Sequence, residues 1–211
     1  MSYKLIDMNT YARRAHFDYF RTLPYPYVGI TQNVDISPVL HHCKGHQYSF
    51  YLTFLHIAAL AADDVREFRQ RIHENGIIEY DECPTSHIEL LDDTSYCYCT
   101  LHHHMPFDEY YSQAEAARNK CRKNGITEDA AVESMYFVTS VPWLNYTAVI
   151  QPVAGGDESN PRITWGKYSD CGNDKIMMPV SVLAHHALVD GIHIAAFYNN
   201  LEKKIQKFID K

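Results

Sequence analysis

No apolar run in this sequence approaches the roughly 18 residues that a membrane span requires, so no transmembrane helix is expected. The N-terminal MSYKLIDMNT lacks the continuous apolar core of a secretion signal, which points to a cytoplasmic protein. Positive charge is not in surplus either: 19 lysines and arginines face 26 aspartates and glutamates, a net charge of -7. Neutralising a phosphate backbone takes a basic face, so nucleic acid is excluded as the main partner. There is no CxxC pair and no zinc-ribbon spacing; the six cysteines are expected as free thiols in a reducing compartment. The absence of a glycine-rich phosphate loop leaves nucleotide hydrolysis and dinucleotide chemistry without a motif. Internal repeats, low-complexity tracts and Pro/Gly/Ser linkers are missing too, so residues 1–211 read as a single domain.

The residues that are present describe a globular chain. At this length folding buries roughly 70% of the unfolded chain's surface, so neither disulfide nor metal is needed as a staple. Sixteen tyrosines, each an apolar ring with a polar tip, suit half-wet pockets and subunit interfaces. Thirteen histidines include His41-His42 and His102-His103-His104. Adjacent side chains on a strand point to opposite faces, so the triplet is not expected to form a ligand set, and no metal is expected.

Asn9 and Thr10 can cap a helix over Tyr11–Arg21, which Pro24 and Pro26 end. Residues 27–36 read as a strand. Apolar FYLTFLHIAALAA followed by amphipathic DDVREFRQRI predicts a helical stretch from Ser49 to Ile72, broken near Asp63-Asp64. The Asn75-Gly76 step leads into a short strand, IIEYDE, and strands follow at 87–91 and 95–103. MPFDEYYSQAEAARNKCRKNG is helical, with acid near its start, base near its end and Gly125 as its stop. Residues 134–153 hold two β-rich runs interrupted at Pro142. PRITWGKYSD and KIMMPVSVLAHH form an antiparallel pair, and Ile192–Ile209 has apolar residues at helical spacing. Lys203, Lys204, Lys207 and Lys211 sit where they would compensate that helix's C-terminal dipole. The expected class is α+β, a mostly antiparallel mixed sheet with helices packed on one side.

The segment SVLAHHALVDGIHIAAF carries the chemistry. An apolar strand runs into His185 and His186, then Asp190-Gly191, then a helix, which places three polar side chains at a turn on a rigid scaffold. Gly191 would allow a left-handed backbone there. Imidazole serves equally as a general base or as a core residue with satisfied nitrogens, and spacing alone does not choose between them.

AHHALVDGIHIAAF resembles the HHxxxDG active-site segment of the chloramphenicol acetyltransferases. FVTSVPWLNY is similar to that family's strand with an S-x-x-PW pattern, YARRAHFDYFR to its first helix and TWGKY to its T-x-x-KY element, in the same order from Tyr11 to Leu201. HHxxxDG alone is shared with other CoA-dependent acyltransferases. The resemblance implies a two-layer CoA-dependent acyltransferase fold, a homotrimer with sites between subunits, and acetyl-CoA as co-substrate. It implies acetylation of a hydroxyl of chloramphenicol, an antibiotic-resistance activity, with His186 as general base. One nitrogen of that ring would be held by a backbone carbonyl.

By the same resemblance Thr139, or its neighbour Ser140, supplies the oxyanion donor, since threonine stands where the family has serine. Asp190 would pair with Arg13, rather than Arg14, and with Gly191 organise the turn. Acceptor-binding positions match Tyr19, Phe20, Tyr27, Tyr96, Tyr98 and Ile126; acetyl-CoA positions match Trp143, Thr164, Lys167 and Tyr168. Tyr98 departs from the family, which has a small residue there: the ring either fills part of the drug pocket or turns away into an interface. The alternatives are an acetyltransferase for another small hydroxylated acceptor, a non-catalytic trimeric binding protein, or a lipoyl-domain acyltransferase, whose lipoyl and linker segments this chain lacks.

Overall fold

The computed structural model describes residues 1–74, 76–91, 95–124 and 132–210. Ten strands are present among them: β1 (Tyr3–Leu5), β2 (Tyr27–Asp35), β3 (Gln70–His73), β4 (Gly76–Tyr80), β5 (Thr85–Leu90), β6 (Tyr96–Leu101), β7 (Tyr136–Val141), β8 (Arg162–Gly166), β9 (Ser169–Asp170) and β10 (Ile176–His185). Five α-helices accompany them: α1 (Arg14–Phe20), α2 (Ser37–His46), α3 (Phe50–Asp63), α4 (Phe107–Asn124) and α5 (Gly191–Ile209).

The principal sheet runs β2-β10-β8-β7-β5-β6, with β9 beside β10, and a small sheet runs β1-β4-β3. The contacts of β7 with β5 and with β8 are parallel and the rest are antiparallel, which makes an α+β fold with a mixed sheet. Strand β10, between β2 and β8, is buried along most of its length, so it reads as an apolar run rather than an alternating one. Helices α3 and α5 pack on each other, with α2 and α4 against α3. Helix α3 is buried almost all round, which explains its uninterrupted apolar sequence.

Several expectations need correction, beginning with the first helix, which covers only Arg14–Phe20 and has no side-chain cap. Second, the helix expected from Ser49 does not continue to Ile72: it stops at Asp63, a 3₁₀ turn covers Arg66–Arg69, and Gln70–His73 is a strand paired with β4. The buried Arg71 guanidinium donates to the carbonyls of Phe68, Gln70, Glu133 and Met135 at 2.7–2.9 Å, and the last two, more than 60 residues on, are partners that no local periodicity encodes. Third, residues 144–153 form no strand, and Leu144 and Ile150 stand 60% and 89% exposed. Fourth, Cys97 and Cys121 are joined as a disulfide, Cα atoms 6.3 Å apart, which fastens β6 to α4; Cys43, Cys83, Cys99 and Cys171 take part in no disulfide. Fifth, β6 ends at Leu101, so His103 and His104 lie in a bend and converge rather than diverge, both meeting Asp63. The α2 helix and β1 carry no strong local signal. Asn75, Gly125 and Lys211 lie outside the described residues. No helix among the described residues is long and apolar enough to cross a membrane.

Candidate active site

Strand β10 delivers two histidines to one turn and gives them different surroundings. The pleat ends at His185, opposite Tyr27 of β2. Beyond it the His186 amide donates to Pro26 O at 2.7 Å, and the Leu188 and Val189 amides donate to His185 O at 3.0 Å. His185 is 1% exposed. Its Nε2 donates to Gly156 O at 2.6 Å while its Nδ1 accepts from the Ala187 amide at 3.2 Å. Both nitrogens are used, and burial lowers the ring's proton affinity, so His185 is a neutral structural imidazole.

His186 is only half-buried. Its Nδ1 lies 2.9 Å from Val189 O; a carbonyl only accepts, so Nδ1 carries a hydrogen, and in the neutral ring the lone pair is then on Nε2. Phe20 of α1 stacks on the ring with centroids 3.9 Å apart and planes 17° from parallel, which fixes the imidazole's plane. A neutral imidazole of set tautomer, with one nitrogen uncommitted, is equipped to take a proton.

Asp190 caps α5 and is held from the other end of the chain. Its Oδ1 accepts from the Ile192 amide at 3.1 Å, and its own amide donates to His193 Nδ1 at 3.0 Å. Its Oδ2 accepts from Arg13 Nη1, a single-point contact and not a bidentate fork; Arg14 lies near Asp18 instead, at 3.6 Å. Burial pushes the Asp190 carboxyl up, but Arg13 and the Ile192 amide outweigh it and hold the group below the usual carboxylate range. The left-handed backbone expected at Gly191 does not occur: the residue opens α5 without a positive φ, and a Cβ built there would meet nothing within 4 Å.

Thr139 lies elsewhere on the same sheet. Thr139 of β7 is paired with Thr164 of β8, and Thr164 with Ser181 of β10. Two strand spacings across and five residues along therefore put Thr139 and His186 roughly 19 Å apart within one chain. That is beyond the joint reach of an imidazole and a threonine hydroxyl. Thr139 and Ile88 line two clefts at once. One, of about 510 Å³, is walled by Tyr98, Phe137, Pro152 and Arg162. The other, of about 390 Å³, is walled by Tyr51, Trp143, Arg118 and Arg122; Ser140 lines this second cleft alone.

The remaining positions do not gather into a single pocket of one chain. Tyr19 is 60% exposed beside Phe20. Tyr27 donates its hydroxyl to Gly155 O and Glu158 O at 2.6 and 2.8 Å, and burial with the nearby Glu158 charge pushes its pKa up to about 12. Tyr96 lines the smaller cleft and Tyr98 the larger. Ile126 lies outside the described residues. Trp143, Lys167 and Tyr168 are exposed, Tyr168 with its edge against Phe50 at 6.0 Å. Thr164 is fully buried, and its Oγ1 has no hydrogen-bond partner among the described residues.

Some of the site's neighbours escape a reading of the sequence. Glu89 accepts from Arg118 and Arg122 and meets His87 at 3.2 Å, at the floor of the smaller cleft. Burial raises its pKa, but His87 and the two arginines bring it down to about 2. Arg162 pairs with Glu158 at 2.8 Å and leans on Phe137 at 5.1 Å. The i,i+4 spacing of Arg118 and Arg122 is a local sign of a shared partner; that the partner is Glu89 is set by the packing of α4 on β5.

A family profile described as chloramphenicol acetyltransferase matches residues 1–202. The chain is 30% identical over 213 residues to a chloramphenicol acetyltransferase of Clostridium perfringens, covering 97% of this chain and 99% of that one. It is 29% identical over 206 residues to one of Escherichia coli, covering 95% and 93%. Among solved structures, a chloramphenicol acetyltransferase superposes with a TM-score of 0.86 at 22% identity, over 97% of this chain and all of that one. A probable dihydrolipoamide acetyltransferase of Listeria monocytogenes superposes at 0.70 and 12% identity over 96% and 93%, sharing the fold.

Proposed function

Because the chain belongs to the chloramphenicol acetyltransferase family, we propose that it transfers the acetyl group of acetyl-CoA to a hydroxyl of chloramphenicol, with His186 as the general base. The observation that carries this reading is the His186 ring itself: Nδ1–H engaged by Val189 O, the plane held by Phe20, and Nε2 left with its lone pair. Nε2 removes the acceptor's hydroxyl proton as its oxygen attacks the thioester carbonyl. The C–O bond forms, the C–S bond breaks, and the imidazolium returns the proton to the departing sulfur. The tetrahedral oxyanion between those steps needs a donor already in place. Thr139 is the candidate that fits, since it stands where the two clefts meet, whereas Ser140 faces only one. Asp190 and Arg13 shape the turn and do not move the proton.

The separation of Thr139 from His186 supports a shared site, the histidine of one subunit facing the threonine of the next, in a homotrimer. The exposure of apolar Ile88, Leu90, Trp143, Leu144 and Ile150 supports the same assembly, because such side chains in number mark a surface meant for burial. The cytoplasm is the compartment that holds acetyl-CoA, and activity there would confer resistance to the drug. A second acceptor, some other small hydroxylated molecule, is favoured by one feature: the larger cleft is lined by Tyr98 and Arg162, more bulk and charge than a neutral aromatic drug requires.

The test is acetyl transfer to chloramphenicol, followed by thiol release. Wild-type protein turns the drug over, and His186→Ala lowers kcat by roughly 10²–10⁴-fold while acetyl-CoA still binds. Turnover unaffected by His186→Ala would overturn the assignment of the base. No turnover of the drug, with transfer to another alcohol that requires His186, would select the second acceptor.

A further inference from the structure

Away from the reaction, where the end of α3 meets the bend after β6, three side chains aim their donor atoms at one point. Asp63, the last residue of α3, directs Oδ2 at His103 Nε2 and at His104 Nε2, each 2.5 Å away. The three donor atoms all lie within 4.8 Å of one another. We propose that Asp63, His103 and His104 form a binding site for a divalent transition ion, Zn²⁺ in the first instance, that ties α3 to the β6–α4 bend.

The chemistry of the set fits that class of ion. Two imidazole nitrogens and one carboxylate oxygen are borderline donors, which suit Zn²⁺ and its neighbours and suit Mg²⁺ or Ca²⁺ poorly. At metal–ligand distances of about 2.0–2.2 Å, tetrahedral ligand atoms sit about 3.3 Å apart, so admitting the ion asks each gap between imidazole and carboxylate to widen by under ~1 Å. His104 is 44% exposed and can make that movement itself, while His103, 1% exposed, stays in place and a small rotation of the Asp63 carboxylate about its Tyr136 contact opens the second gap. The carboxylate is oriented from behind: Tyr136 at the start of β7 donates its hydroxyl to Asp63 Oδ1 at 2.8 Å, the kind of outer partner that holds ligating carboxylates. Three protein ligands leave a fourth position on the solvent side for water. Thr139 lies three residues along β7 from Tyr136, about 10 Å, so the ion would steady the fold and not touch the substrate.

Tag-free protein, stripped with chelator and dialysed, is titrated with Zn²⁺ by calorimetry and with Co²⁺ by visible absorption. Surface histidines elsewhere, such as His42 stacked on His46, also take up metal, so the variants decide. Wild type is expected to show one binding event that His104→Ala abolishes or weakens by roughly tenfold or more, with Co²⁺ bands of a tetrahedral centre lost in step. Tyr136→Phe should weaken it within about 10–100-fold and leave the bands in place. Zn²⁺ should raise the melting temperature of wild type but not of His104→Ala, whose side chain is exposed, so that its removal leaves the core intact. Equal stoichiometry and affinity in wild type, His104→Ala and Asp63→Asn would overturn the site, as would the absence of any Zn²⁺ binding by wild type.

Discussion

At the scale of single residues, the oxyanion donor is the most exposed assignment. Thr139 faces both clefts and its neighbour only one, so Thr139→Val should lose the equivalent of about 2.7–4 kcal/mol in kcat/KM. Ser140→Ala should stay within a few-fold of wild type; the reverse ranking in steady-state kinetics would move the role to Ser140. Asp190 makes a prediction about pH. Its carboxyl titrates lower in the folded protein than in the unfolded chain, so its contribution to stability is complete above the unfolded carboxylate value, about 3.9, and is lost as pH falls through the folded one. Asparagine caps a helix nearly as well as aspartate. The deficit of Asp190→Asn in melting temperature should therefore be largest near neutrality and shrink below about pH 4. A gap that does not change with pH would show that Arg13 gains nothing from the charge.

At the scale of elements, the Cys97–Cys121 bond closes a loop of 24 residues between β6 and α4. Chain-entropy arguments make such a closure worth about 3 kcal/mol, so Cys97→Ser or a reductant should lower unfolding stability by that order in a denaturant titration. Tyr98 shares that strand, and Arg118 and Arg122 share that helix, so both clefts should loosen together. This bond also shows why some of the structure was legible in the sequence and some was not. Strand β2, helix α4 and helix α5 announce themselves through patterns a few residues long, as does the turn with His185, His186 and Asp190. Whatever depends on a distant partner stayed hidden. Nothing near Cys97 points to Cys121, and the amphipathic run after Asp63 reads as helix because Arg71's carbonyl partners lie as far off as Met135. Which of two adjacent histidines is structural is not encoded in their spacing; the family resemblance alone singles out His186 as the base. The physical difference lies in Gly156 O, which reaches His185 and not His186.

At the scale of the whole molecule, the proposed pairing of His186 in one subunit with Thr139 in the next would make assembly a requirement for turnover. Subunits carrying His186→Ala and subunits carrying Thr139→Val are each inactive as pure oligomers. Unfolded together in equal amounts and refolded, they should regain about one quarter of wild-type activity, since that fraction of shared sites pairs an intact histidine with an intact threonine. No recovery in the mixture, with oligomers shown to contain both kinds of chain, would place the whole reaction inside one subunit.

The contact between Arg13 and Asp190 spans 177 residues, and Phe20 reaches His186 from the same early helix. A ribosome must therefore translate from Arg13 past Asp190 before the histidine acquires its neighbours. Any nonsense codon ahead of position 190 would release a product with no organised base, and one ahead of Ile176 would also lack β10, the strand that pairs with β2, β8 and β9. Premature stops across the reading frame should thus behave alike in a growth assay on the drug: full loss, with no graded series from early to late.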